Sequence, residues 1–326
     1  MKTIGKLRTF FLMQKQFLTI GIVFLSSLFP LRAFAASFTD IYVFGDSLSD
    51  TGNLFAATGS LLPPSPPYNQ GRASNDRLWI EYLSEDLGAT TTNYAFGGAT
   101  TGSVNTSVPG LIGLEQQITN FQATNSFADS DALYVVWAGS NDYLGAGITN
   151  PSVPVGNLAN SITSLAESGA ENFLVVNLPD LGQLPATNSS DFSSSFSALT
   201  EAHNTGLDTA LNSLSLSYGI NIYDVDVSSL FAEAIATPSL FGFTNVTDTC
   251  LNLTAASICS NPNEYLFWDD LHPTTAAHEL IGDLASQRLN SQPVPEPNSG
   301  FGILALGALG FGAIAKRKYK KTTLIP

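Results

Sequence analysis

Lysine is missing from the whole stretch between Ala36 and Pro293, where three arginines, Arg72, Arg77 and Arg288, face 26 of the chain's 27 carboxylates. That stretch carries a net charge of −23 with histidine neutral. It has no basic patch with interleaved aromatics, which excludes nucleic-acid binding and attraction to anionic membrane surfaces. Solubility outside the cell accounts for such acidity; adaptation to salt is the weaker alternative. Cysteine is nearly absent as well. Cys250 and Cys259 are the only two, and no histidine stands at metal-ligand spacing beside them, so a disulfide closing a short loop in an oxidising compartment is expected, with free thiols as the alternative. Internal repeats, long linkers and phosphate-cradling or cofactor fingerprints are also missing, and no cofactor or metal is expected. What remains is 326 residues, 44% hydrophobic and 12% charged, enough to bury a sizeable core in one large α/β domain or two small ones.

Both ends of the chain read as addresses. Lys2, Lys6, Arg8 and Lys15 precede an apolar run from Phe17 to Leu31 and then Ala33-Phe34-Ala35, the order of a signal peptide and its small-residue cleavage site. Residues 1–35 are therefore expected to be removed, leaving a body of residues 36–292; a retained N-terminal anchor is the alternative. At the other end Pro293, Pro295 and Pro297 precede an apolar run over 301–315, followed by Lys316, Arg317, Lys318, Lys320 and Lys321. An apolar run closed by positive charge stops in a membrane with its basic end in the cytoplasm, although about 15 residues at ~1.5 Å each are short for a ~30 Å hydrocarbon core. This tail, residues 293–326, resembles a PEP-CTERM sorting signal. The resemblance implies an exosortase-type sorting protease as partner and a transient membrane anchor; a permanent single-pass anchor is the alternative.

Within the body, apolar runs of strand length recur at 41–44, 92–96, 132–138, 172–178 and 220–225, alternating with helix-like segments at 77–87, 114–122, 155–168 and 196–217. That alternation predicts a parallel sheet wound by helices, and near-continuous apolar strands suit a sheet covered on both faces. Each of the first four strands is followed by a polar turn: Gly45-Asp46-Ser47, Gly97-Gly98, Gly139-Ser140-Asn141-Asp142 and Pro179-Asp180-Leu181-Gly182. In open α/β sheets ligands bind outside the carboxyl ends of the strands, so these turns are expected to converge on one cleft, with Ser47 held rigidly at a strand end. A nucleophilic serine needs a base, and the candidates are His203, His272 and His278. His203 and His278 fall in helix-like runs, where a structural role or plain exposure is expected. His272 stands in "FWDDLHPT", three residues after Asp269, close enough in a turn for the carboxylate to reach imidazole Nδ1 and leave Nε2 for the serine proton. No G-x-S-x-G occurs, so the nucleophile elbow of the α/β-hydrolases is excluded.

The blocks "FGDSLSDTGN", "NYAFGGATTG", "VVWAGSNDYL" and "FWDDLHPT", in that order, resemble those of the GDSL esterase/lipase group of SGNH hydrolases. The segments "YNQGRASNDRLWIEYL" and "VVNLPDLGQLPA" are similar to that group's stretches too. The resemblance spans about 40–285 and implies a three-layer α/β/α fold with a flavodoxin-like parallel sheet of about five strands. It implies Ser47 as nucleophile, His272 as general base and acid, and Asp269 as the orienting carboxylate. The oxyanion hole it implies consists of the Ser47 and Gly98 backbone N–H groups and the Asn141 side-chain amide. Asp270 is the rival to Asp269. Many relatives have a small residue at the positions of Asp270 and Asp76, departures expected at the cleft rim. Turn and capping roles are expected for Asp46 and Asp50, and core packing for Trp137 and Trp268.

The reading these features support is a secreted serine esterase or lipase acting on carboxylic esters of lipid or acylated carbohydrate through an acyl-enzyme. An acyltransferase and a polysaccharide O-deacetylase would use the same site. A non-catalytic extracellular matrix-binding module is the competing class, and it has no need to keep all five site residues. Short to medium acyl esters are the expected substrates, with activity lost at acid pH as His272 protonates and unaffected by EDTA.

Overall fold

The computed structural model describes residues 38–291; the expected signal peptide and sorting tail lie outside the described residues. Residues 36–292 form a compact unit of their own, and its described residues hold two large apolar clusters and a smaller third one, so this body carries a folding core. Strands β1 (Asp40–Gly45), β2 (Thr90–Asn93), β3 (Leu133–Trp137), β4 (Asn172–Val176) and β5 (Asn221–Val225) pair in parallel in the order β2-β1-β3-β4-β5. The helices are α1 (Asn53–Ala57), α2 (Trp79–Leu87), α3 (Leu114–Thr124), α4 (Ser140–Leu144), α5 (Ser152–Glu167), α6 (Ser193–Tyr218), α7 (Val227–Ala236) and α8 (Thr275–Ser291). Short strands β6 (Asn245–Thr249) and β9 (Tyr265–Phe267) pair in parallel, and β7 (Leu251–Asn252) with β8 (Ser257–Ile258) makes a small hairpin.

Successive side chains of a strand point to opposite faces, and here each face finds its own helices. Ile41, Val43, Val135, Leu174 and Val225 pack with Trp79 and Leu83 of α2, Phe231 of α7 and Ile281 of α8. Phe44, Tyr134, Val136, Phe173 and Val175 pack with Phe121 of α3, Ile162 of α5 and Leu207 of α6. A sheet apolar on both faces is thus covered on both, the three-layer arrangement expected from its continuous apolar strands. β1 lies between β2 and β3, the point where the strand order reverses, and the crevice at the carboxyl ends of β1 and β3 is where such sheets bind ligands.

Three of the differences from the sequence-based boundaries have clear physical reasons. The strand expected over 92–96 is instead Thr90–Asn93. As the sheet's edge it has one strand neighbour and tolerates three exposed or half-exposed threonines, while Tyr94 and Phe96 still donate N–H to the carbonyls of Val43 and Gly45. Helix α5 starts before the expected 155 because Pro154 falls in its first turn, where a missing N–H costs nothing. Helix α2 starts at Trp79 because Leu78 is its extended N-cap residue.

Candidate active site

Ser47 sits two residues beyond the end of β1, and the strand end is braced by a buried side chain from α3. Gln117 is fully buried, accepts the Gly45 N–H on Oε1 (2.9 Å) and donates Nε2 to the Gly45 carbonyl (2.8 Å). Gly45 has no room for a side chain, since a Cβ there would overlap the Trp137 carbonyl. Downstream, Asp50 accepts the N–H groups of Gly52, Asn53 and Leu54, which satisfies the start of α1. The turn is therefore held on both sides of the serine.

The second component is the loop between β9 and α8. Ser47 Oγ lies 2.8 Å from His272 Nε2, and His272 Nδ1 lies 2.9 Å from each Asp269 carboxylate oxygen. Asp269 Oδ1 also accepts the N–H groups of Leu271 (2.9 Å) and His272 (2.7 Å), while Oδ2 accepts the Tyr68 hydroxyl at 2.6 Å. Burial alone would raise the Asp269 pKa, but the facing imidazole and these donors outweigh it and hold the group at about 2. Burial disfavours the His272 cation, yet the Asp269 charge and hydrogen bond, with Asp46 behind them, shift its pKa above the ordinary imidazole value. With Nδ1–H committed to the carboxylate, Nε2 is left to accept the serine proton.

Residues 68–82 clamp this loop in place. Besides the Tyr68 contact, Ser74 donates to the Pro273 carbonyl, Asn75 accepts the Thr275 N–H, and Thr275 donates its hydroxyl to the Arg77 carbonyl. A bidentate Arg72–Glu81 pair (2.8 and 2.7 Å) closes the segment on itself.

The third component is the Gly97–Thr101 turn. Asp50 Oδ2 accepts the Gly97 N–H (2.8 Å), and Asp142 accepts both the N–H and the hydroxyl of Thr101 (2.9 and 2.7 Å). Buried carboxylates, Asp50 from the turn after β1 and Asp142 from α4, thus pin its two ends. Gly98 has φ +79, and a Cβ there would overlap Ser107, so glycine is required on both conformational and steric grounds. Among the described residues, neither the Ser47 nor the Gly98 backbone N–H donates to a protein acceptor. Asn141 differs: its Nδ2 is 3.1 Å from the Ala99 carbonyl and 3.3 Å from Asp46 Oδ2. Asp46 also accepts the Leu48 N–H, and burial pushes its pKa up to about 7 against the opposing pull of that bond and of His272.

The sequence pattern of the GDSL-like lipase/acylhydrolase family matches residues 41–285. The chain belongs to this family. A phosphatidylcholine-sterol acyltransferase of Aeromonas hydrophila is 30% identical over 310 residues, covering 78% of this chain and 91% of the relative. A thermolabile hemolysin of Vibrio parahaemolyticus is 25% identical over 77% of this chain, which spans 64% of that protein's length. GDSL esterase/lipase 5 of Arabidopsis thaliana is 26% identical, covering 76% of this chain and 82% of the relative. Residues 293–318 match the PEP-CTERM protein-sorting motif, which points to export and surface association.

In this GDSL-family site the remaining sequence candidates separate by burial. Asp270 is exposed, whereas Asp269 is 7% exposed and faces the imidazole. His203 is buried with Nδ1 2.9 Å from the Tyr143 hydroxyl, and His278 is buried with neither ring nitrogen hydrogen-bonded. Trp137 and Trp268 are both buried, and Asp76 accepts the Asn69 side-chain amide. Cys250 and Cys259 form a disulfide.

Tyr68, Gln117 and Asp142 were not singled out from the sequence as site-supporting residues. A signal existed for Gln117, which interrupts the buried Leu114, Ile118, Phe121 stripe of α3; nothing local marked Tyr68. Ser47 and His272 are shared by two adjoining cavities. One, of about 390 Å³, is walled by Leu54, Leu62, Pro63, Pro64 and Gly98, and the other, of about 40 Å³, by Leu144, Leu181, Leu184 and Phe231.

Proposed function

We propose that this protein is an exported serine esterase that cleaves carboxylic esters through an acyl-enzyme. The observation that carries this reading is the continuous chain Ser47 Oγ, His272 Nε2, His272 Nδ1, Asp269 at 2.8 and 2.9 Å beside two unpartnered backbone N–H groups. Ser47 Oγ attacks the ester carbonyl while His272 takes its proton, and the carbonyl oxygen becomes an anion facing the N–H groups of Ser47 and Gly98. Asn141 joins them by releasing its long 3.3 Å contact to Asp46. His272 then gives the proton to the leaving alkoxide. Water, deprotonated by the same imidazole, attacks the acyl-enzyme and releases the acid.

Its route follows from the ends: residues 1–35 direct export, and the tail from residue 293 is a temporary anchor handed to an exosortase-type protease. The test is turnover of p-nitrophenyl acetate and butyrate by residues 36–292 beside Ser47→Ala. A fall of several orders of magnitude supports the nucleophile. Equal rates, or no turnover of any ester, would reject the esterase reading in favour of the matrix-binding module. A second reading, acyl transfer to an alcohol instead of water, is favoured by the acyltransferase relative, and an added alcohol that captures the acyl group would support it.

A further inference from the structure

Three leucines from three separate segments stand at the mouth of the larger cavity. Leu62 follows α1, Leu253 tips the β7–β8 hairpin and Leu271 lies between Asp269 and His272; all three line the cavity beside Ser47, yet they are 39%, 62% and 38% exposed. Leu61, next in the chain to Leu62, is 71% exposed. Single exposed leucines are ordinary, but apolar side chains gathered at one mouth signal an interaction surface. The surface is built to stay in place. The Cys250–Cys259 disulfide closes the Leu253 hairpin, and the N–H groups of Cys250 and Leu251 bond to the carbonyls of Phe267 and Trp268, directly before Asp269.

Charge selects the partner. Each arginine among the described residues is paired with a carboxylate: Arg72 with Glu81, Arg77 with Glu85 and Arg288 with Asp224. Residues 38–291 contain no lysine. Among the described residues neither the mouth nor its surroundings has a free cation for an anionic head group, and the body's net charge of −23 repels an anionic surface.

We infer that this leucine rim docks on the surface of an uncharged or zwitterionic lipid aggregate, so that Ser47 receives its ester at a lipid–water interface. The inference rests on the esterase reading for its substrate but not for its docking step. Flotation of residues 36–292 with phosphatidylcholine vesicles tests docking without catalysis, and p-nitrophenyl acetate turnover tests catalysis without docking. Removing one inserted leucine weakens attachment by about tenfold. Leu61→Ser is therefore expected to lower the partition coefficient by about that factor with acetate-ester turnover unchanged, and Leu61→Ser/Leu253→Ser to lower it further. Phosphatidylglycerol vesicles are expected to bind the wild type more weakly than phosphatidylcholine does. Equal flotation of wild type and variants, tighter binding to phosphatidylglycerol, or a wild-type dimer that the variants abolish would each overturn the inference.

Discussion

Replacing Asp269 by asparagine tests the site at its most specific point. Asp269 Oδ1 accepts two backbone N–H groups, and Oδ2 accepts the Tyr68 hydroxyl. In Asp269→Asn the amide oxygen takes the position facing the two N–H groups, because an NH2 there would meet donors. The NH2 then faces His272 Nδ1, which must accept and so loses its proton. The imidazole proton moves to Nε2, where it points at Ser47 Oγ and blocks proton abstraction. A wrong tautomer of this kind costs about 10⁴-fold in kcat, or ~5 kcal/mol of barrier. A second consequence has a definite sign. The Asp269 charge holds the His272 pKa above its ordinary value, so removing it shifts the acid limb of the residual activity to lower pH. The assay is kcat/KM for p-nitrophenyl butyrate across pH, with exposed Asp270→Asn as control, expected within about twofold of wild type. Loss of no more than tenfold in Asp269→Asn, or equal loss in Asp270→Asn, would refute the assignment.

Tyr68→Phe removes a charge-assisted hydrogen bond to a buried carboxylate and is expected to destabilise the body by about 1.5–3 kcal/mol, read as a shift in the denaturant midpoint; an unchanged midpoint would contradict the clamp. His278 and His203 are buried, and burial lowers their pKa values to about 3 and about 4. The unfolded chain therefore takes up their protons first, and the stability they permit above pH ~6.5 is lost as pH falls toward those values. Asp46, raised to about 7, acts in the opposite direction, with stability lost as pH rises through that value. His278→Met is expected to reduce the drop in Tm between neutral and mildly acid pH, and an unchanged drop would count against burial of a neutral His278. Joining cysteines 9 positions apart restricts the unfolded chain by roughly 2.5–3 kcal/mol in the chain-entropy account. A Cys250→Ser/Cys259→Ser variant is expected to lose up to that amount by thermal unfolding, and a gain in stability would contradict it.

The fold class was legible in the sequence, and so were the candidate residues of the site. Apolar runs and turn residues act locally, so the periodicities that make strands and helices, and the three-residue spacing of Asp269 and His272, are visible without coordinates. Boundaries were legible to within a few residues, and at β2 the shift follows from an edge position that relaxes the need for apolar side chains. The rest depends on contacts between residues far apart in the chain. Burial separates Asp269 from Asp270, which are neighbours in sequence and identical in chemistry. Tyr68 reaches Asp269 across 201 positions and Gln117 reaches Gly45 across 72, pairings that no local pattern encodes. The leucine rim likewise exists only because three loops meet at one mouth, since exposure is a property of the folded surface and not of a leucine in a sequence.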